Sequence, residues 1–348
     1  YHYVLGACIS AYTHRSFIHN DDVELVIMCD DIIYNKYKDL LQHYFDKVIK
    51  IDLIEFPRAL SYNYKFVSET GKYDWITKSL SKWQCLSLTD YDKILFIDID
   101  IIPIRKNFYN ILNLNAPTVS VYYRLDINST IYKDMDTVKQ YYERDNIFNR
   151  FNTYKEYIDN SSHLYSIDGG LVLLKPDMNL YNKYIKFINK TYKNGIYSMM
   201  LSGPDETSLF YFLIKEEKYP LVLIDSKYSI IPWENDKNII KEAYAYNFLS
   251  NVKPWLKTKI TSWPEELIWR LLYINIPHYG SIEDLNKKVI TKYFIDFYNK
   301  KNKDHYDKYY YKKNKNKFNE LKNILKNNVT TMDDKFNEIK KLEKQLYK

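Results

Sequence analysis

Lys93-Ile94-Leu95-Phe96-Ile97-Asp98-Ile99-Asp100-Ile101-Ile102-Pro103-Ile104 places two carboxylates one residue apart at the end of an unbroken apolar run. A short run rich in Ile and Phe reads as a strand buried on both faces, as in the parallel sheet of an α/β protein. Period-two geometry then puts Asp98 and Asp100 on the same side of that strand. Bare buried carboxylates are costly, so the pair requires a cation or a network of donors. A divalent metal holding a diphosphate is the functional candidate, and an ordinary strand-end turn is the alternative. Asp-x-Asp alone is cheap: Asp90-Tyr91-Asp92 and Asp134-Met135-Asp136 share the spacing and read as solvated turn or helix residues. The apolar context sets the third pair apart, because ligands gather at the carboxyl ends of parallel strands.

Composition narrows the class. With 348 residues, 46% of them hydrophobic, the chain can bury a substantial core. The formal charge of +7 is concentrated, with eight Lys against Asp304 and Asp307 between Asn299 and Lys317. The body is therefore near neutral, which argues against a nucleic-acid groove across the main fold. Three cysteines, Cys8, Cys29 and Cys85, in apolar surroundings with no framework spacing read as reduced thiols. The expected compartment is the cytoplasm, or a host cytoplasm if the source is viral. No run reaches the length of a membrane span, and the start, Tyr1-His2-Tyr3-Val4, has no signal-peptide pattern.

The opening reads β-α-β: strands over Val4 to Ile9, Val23 to Met28 and Val48 to Leu53, with a helix over Asp39 to Phe45. Tyr12 falls just past the first strand, where its ring either stacks on a base or is simply half-buried. Ile76, Leu80, Trp83 and Leu86 give a helix from Trp75 to Leu88 that feeds the Asp98 strand, with Lys78 and Lys82 on its other face. A strand covers Val119 to Tyr122. Ser166-Ile167-Asp168-Gly169-Gly170-Leu171-Val172-Leu173-Leu174-Lys175-Pro176 is a strand opened by a double glycine, which lets a ligand or another backbone approach closely. A helix follows from Asp177 to Lys193.

Ser202-Gly203-Pro204-Asp205-Glu206-Thr207 reads as a turn before an apolar helix, Leu209 to Ile214. Local sequence favours Asp205 as that helix's cap over a site carboxylate. Leu221 to Ile224 is a strand, Tyr246 to Trp255 brings Asn, Lys and Trp close together, and Pro264 starts a helix. From Phe318 apolar residues recur at steps of three and four, an amphipathic helix that pairs with a second copy or folds back on the body. The expected organisation is a body over 1–282 and a Lys/Tyr-rich helical extension over 283–348.

Taken in order, these stretches resemble the retaining glycosyltransferases of family eight, and within them the glycogenin-like group, from about Tyr12 to Trp269. The run Ser87-Leu88-Thr89 to Asp98-Ile99-Asp100 matches the family's segment from helix to metal motif, a register that favours Lys82 over Lys78 as the donor-contacting lysine. Asp168-Gly169-Gly170 stands at the family's triplet before a strand, Gly203-Pro204-Asp205-Glu206 resembles its Gly-Gly-Asp-Gln turn, and Lys253-Pro254-Trp255 matches its Lys-Pro-Trp.

The resemblance implies an α/β GT-A fold, a Rossmann-like mixed sheet flanked by helices, and transfer of a hexose from a UDP-sugar to a glycan or protein acceptor. It implies Mn²⁺ or Mg²⁺ on Asp98, Asp100 and Asn247. Tyr12, Lys82, Ile99, Gly169, Gly170 and Lys253 would contact the donor, while Asp205, Asp168 and Lys82 would serve the chemistry. Three positions depart from the family. Its third metal ligand, His, is here Asn247. Its Thr-Asn-Asp reads Cys8-Ile9-Ser10, and its Gln reads Glu206. The family's self-modified tyrosine has no counterpart between Ser229 and Ala243, so a separate acceptor is expected. The alternative is a catalytically weak nucleotide-sugar or glycan-binding scaffold that assembles through its C-terminal helix.

Overall fold

The computed structural model describes residues 2–18, 20, 22–55, 76–122, 166–193, 204–220, 222–231, 242–249, 253–255 and 269. The helix at Pro264 and the C-terminal extension lie outside them. The described part is mixed α/β.

β6 (Ser166–Leu174) is the central strand. Val172 and Leu174 enter one core with Leu80, Trp83, Leu180, Tyr184 and Leu209, while Leu171 and Leu173 enter another with Ile101, Phe108, Ile111 and Ile224. A strand clothed on both faces needs apolar residues at consecutive positions, and Leu-Val-Leu-Leu supplies them. β6 pairs antiparallel with β3 (Ile94–Ile97) on one side and with β5 (Thr118–Tyr122) on the other; β5 pairs parallel with β7 (Val222–Ile224).

The parallel reading of the Asp98 stretch is thus corrected. β3 is half-buried at the edge of its described sheet and antiparallel to β6. An apolar run fixes burial but carries no information about strand direction. Nor does one strand carry both carboxylates. The backbone turns after β3, with Ile101 N–H donating to Asp98 C=O at 2.9 Å, and resumes as β4 (Ile101–Pro103), which pairs with β8 (Ala245–Asn247).

The expected strand over Val4 to Ile9 is a helix, α1 (His2–Phe17). Val4 to Ala11 are buried without a break, so no alternation separates helix from strand, and Leu5, Ala7 and Ala11 favour the helix. Thr13 bonds back to Ile9 C=O at 2.8 Å. Trp255 packs on α1 at Gly6, where a Cβ would come within 2.9 Å of the indole ring. The next strands are β1 (Val26–Cys29) and β2 (Lys47–Lys50), a parallel pair; the helix joining them, α2 (Asp31–Leu41), is capped by Asp30 and ends before Phe45.

Ile76–Ser87 is a 3-10 helix, in which residues three apart eclipse. Leu80, Trp83 and Leu86 therefore form one buried ridge, and Lys82 stands on the adjacent one. α3 (Met178–Lys193) packs on it through Leu180, Tyr184 and Ile188, with Asp177 capping at Leu180 N. α4 (Pro204–Tyr211) runs into a π-helical segment, Phe212–Glu216; residues 204–206 are thus its first turn, not a turn before it.

His14 on α1 is 3% exposed, its Nδ1 lies 2.6 Å from the Tyr109 hydroxyl, and burial pushes its pKa down to about 4. The unfolded chain takes up this proton first as pH falls below 6.5, so folding loses stability as pH drops towards 4. Urea unfolding should show a loss of about 2 kcal/mol from this group between pH 7 and pH 5. That component should be missing in His14→Gln, and an equal slope in the variant would contradict it.

Candidate active site

The site is built where β6 breaks its pairing. Val119 faces Val172, but the next residue of β5, Ser120, faces Asp168, so Gly169, Gly170 and Leu171 have no opposite number on β5. The double glycine lies inside the strand, at a bulge, not at its start. A Cβ on Gly169 would come within 2.3 Å of Glu206 Cγ. One on Gly170 would come within 2.9 Å of Asp168 Oδ1 and 3.0 Å of Asp98 Oδ2. Missing side chains thus let three acidic residues close on one point, and Asp98 N–H is tied there by a 2.7 Å bond to Gly170 C=O.

Several segments bring polar groups to this point. Asp168, fully buried, accepts from Gly170 N–H at 2.8 Å and from Ser229 Oγ at 2.6 Å. Ser229 accepts in turn from Asn247 Nδ2 at 3.1 Å. Lys82 lies 2.5 Å from Asp205 Oδ2 and donates to Gly169 C=O at 3.0 Å. Lys253 is ion-paired with Asp100 and also donates to Phe248 C=O at 3.3 Å. Asp205 does not act as a cap: one oxygen is on Lys82, and the other is buried with no hydrogen-bond partner among the described residues. Glu206 instead accepts from Gly169 N–H at 3.1 Å.

Asp98, Asp100, Asp168, Asp205 and Glu206 thus face two ammonium groups, Lys82 and Lys253. Burial pushes the Asp98 carboxyl up to about 7; Lys82 opposes this, and Asp100, Asp168 and Asp205 add to it. Burial and then Asp205 hold Glu206 well above the usual carboxylate range. Burial alone would lower the Lys82 pKa, but Asp205, Asp98 and Glu206 outweigh it and hold the ammonium charged.

This excess of acid suits a divalent cation. Among the described residues no group of three or more His, Cys, Asp or Glu side chains is placed to hold a metal ion. Hard cations such as Mg²⁺ do not need one, since one or two carboxylates plus substrate phosphates suffice. Asp98 and Asp100 on one turn, with the Asn247 amide beside β4, are the oxygen donors that would hold it.

The fold gathers Lys82, Asp98, Asp100, Asp168, Gly169, Gly170, Asp205, Asn247 and Lys253. Lys78 is elsewhere, paired with Glu55 at 3.1 Å. Tyr12 sits on α1, not after a strand, and lines a cleft of about 160 Å³ with Arg15 and Gln42 to Asp46; none of the site carboxylates lines it. Ile99, between the two aspartates, packs its side chain on the core around α1. Ser229 has no signal in the sequence, because nothing near it announces a role. Glu206 is visible in the sequence as the acid that stands where the family has Gln, but its bond to Gly169 N–H is not.

No family model matches the chain. An uncharacterized protein of Acanthamoeba polyphaga mimivirus is 25% identical over 257 residues, covering 73% of this chain and 78% of that one. Among solved structures, the glycosyltransferase GlyE of Streptococcus pneumoniae TIGR4 aligns over 82% of this chain with a TM-score of 0.45 and 12% identity; its apo form gives 0.43 and 13%. The chain spans about three fifths of those structures, 61% and 60%. Among the described residues no helix is long and apolar enough to cross a membrane.

The Lys82–Asp205 pair is nearly sequestered, with side chains 16% and 5% exposed. Removing one partner of a buried pair leaves an uncompensated charge, so Lys82→Met should cost about 3–5 kcal/mol in urea unfolding. Lys82→Met with Asp205→Leu should recover most of it. A single variant as stable as the parent would contradict the pairing.

Proposed function

We propose that this chain is a metal-dependent retaining glycosyltransferase that moves a hexose from a UDP-sugar to a glycan or protein acceptor. The observation that supports it is convergence. Stretches around Lys82, Asp98 to Asp100, Asp168 to Gly170, Asp205, and Asn247 to Lys253 lie far apart in sequence, yet their polar groups meet around one double glycine. Each of these stretches also carries the resemblance to family eight.

In this reading Asp98, Asp100 and Asn247 would hold the cation that the donor diphosphate needs. The bound ion would supply Lewis-acid stabilisation of the charge that develops on the departing UDP. Lys82 and Lys253 add fixed positive charge at the same place, since ammonium groups held in a water-poor corner stabilise a leaving diphosphate more than they would in bulk water. Lys253 exchanges its partner Asp100 for phosphate oxygens as the donor enters. Asp205 steadies the positive charge developing at the sugar through the oxygen that Lys82 leaves uncovered. Asp168, held on both oxygens by Gly170 and Ser229, orients sugar hydroxyls.

A second reading, a scaffold that binds nucleotide sugars without turning them over, draws support from α1. That helix carries Cys8, Ile9 and Ser10 as buried residues, where the family uses polar ones on the nucleotide.

One assay separates the two. UDP-Glc, UDP-Gal, UDP-GlcNAc and UDP-Xyl are each incubated with Mn²⁺, and UDP release is followed. At least one donor should yield UDP, with release abolished by EDTA and lowered at least about 100-fold by Asp100→Asn. Undiminished release in EDTA or in Asp100→Asn would contradict the metal-dependent transferase. Stabilisation by UDP and Mn²⁺ with no release from any donor would favour the scaffold.

A further inference from the structure

The Ser229 hydroxyl has one proton and two lone pairs. Its proton is donated to Asp168 Oδ2 at 2.6 Å. A second group close to that oxygen has to be a donor, and the Asn247 amide, 3.1 Å away, meets the requirement only by turning its NH₂ toward Ser229. The two ends of an amide are nearly identical in shape, so orientation is decided by partners of this kind.

The backbone frames the contact. Ser229 follows a 3-10 turn, Ser226–Tyr228, and is 5% exposed. Asn247 N–H donates to Ile230 C=O at 2.7 Å, which fixes the distance between the two segments. Across β4 and β8, Asn247 faces Ile101, the neighbour of Asp100, and Phe248 N–H donates to Asp100 C=O at 2.9 Å. The backbone at Asn247 thus lies between the segment of Ser229 and the strand that follows the Asp98–Asp100 turn, and its amide nitrogen reaches Ser229.

We propose that Ser229 is a positioning residue: by committing its proton to Asp168 it holds the Asn247 amide with the nitrogen inward, so that the amide oxygen is presented as a hard ligand beside Asp98 and Asp100. This rests on the metal-dependent reading of the site and extends it. Where the family that the chain resembles has an imidazole, whose ligating nitrogen is set by the bond at its other nitrogen, this chain has an amide, which needs a different device to choose its ligating end. The serine provides that device, and it also joins the residue that orients sugar hydroxyls to the residue that holds the cation.

The test is Mn²⁺ binding to the full chain saturated with UDP, read by the electron paramagnetic resonance signal of free Mn²⁺. Ser229→Ala should weaken Mn²⁺ binding about 10- to 100-fold, the usual effect of removing a group that orients a ligand. Ser229→Thr, which keeps the hydroxyl, should restore most of it. In an Asn247→Asp background Ser229→Ala should change the affinity by less than about threefold, because the two oxygens of a carboxylate are equivalent and need no orienting. Equal Mn²⁺ binding by Ser229→Ala and the parent would overturn the proposal. So would an equal loss in the Asn247→Asp background, since that marks a general structural defect. If the parent with UDP retains no Mn²⁺, the metal-dependent reading itself falls, a result distinct from the other two.

Discussion

Five carboxyl groups share one largely buried corner with two ammonium groups, and this imbalance governs the site. Carboxylates crowded out of water cannot all remain ionised without compensation. Two of them are partly relieved by the lysines: Asp205 by Lys82, Asp100 by Lys253. Asp168 is relieved by hydrogen bonds from Gly170 and Ser229. Asp98 and Glu206 carry what is left, and burial shifts both towards the protonated form. A cation placed at Asp98 and Asp100 would remove the same strain without protons, and this is the physical support for the proposed cation site.

The fold creates the crowding through one backbone irregularity. A regular β6 would carry side chains at 169 and 170, and those side chains would collide with Glu206, Asp168 and Asp98. Two glycines and a bulge remove them, while the rest of β6 stays clamped between two cores. Asp168 is thus held on a stiff strand, and the turn that carries Asp98 and Asp100 is tied to that strand through Asp98 N–H and Gly170 C=O. α1 acts from the other side. Its Gly6 receives Trp255, which fixes the segment that carries Lys253.

Much of this was legible in the sequence where one feature determined the outcome. Val119 to Tyr122, the strand ending at Pro176, the helix after it and Val222 to Ile224 each have a clear apolar pattern and a clear boundary. The opening was not legible, because a continuously buried helix and a buried strand look alike over six apolar residues. Strand direction at Ile94 to Ile97 was not legible either, since pairing with β6 depends on residues some eighty positions away. Asp205 illustrates a different limit. Its position favours capping, yet Lys82, distant in sequence, takes the carboxylate. Ser229 has no mark in the sequence, for what singles it out is two contacts across the chain. The expectation for Tyr12 depends on a strand that the chain does not form.

The central claim is that Asp98 and Asp100 hold a divalent ion against the phosphates of a nucleotide. Anomalous diffraction at the manganese edge from a crystal soaked with UDP and Mn²⁺ tests it most directly. The account predicts a manganese peak within ligand distance of Asp98, Asp100 and the Asn247 amide oxygen, bridging to the diphosphate, with Lys253 turned from Asp100 to a phosphate. A bound UDP with no manganese peak at that turn, and Lys253 still on Asp100, would contradict it.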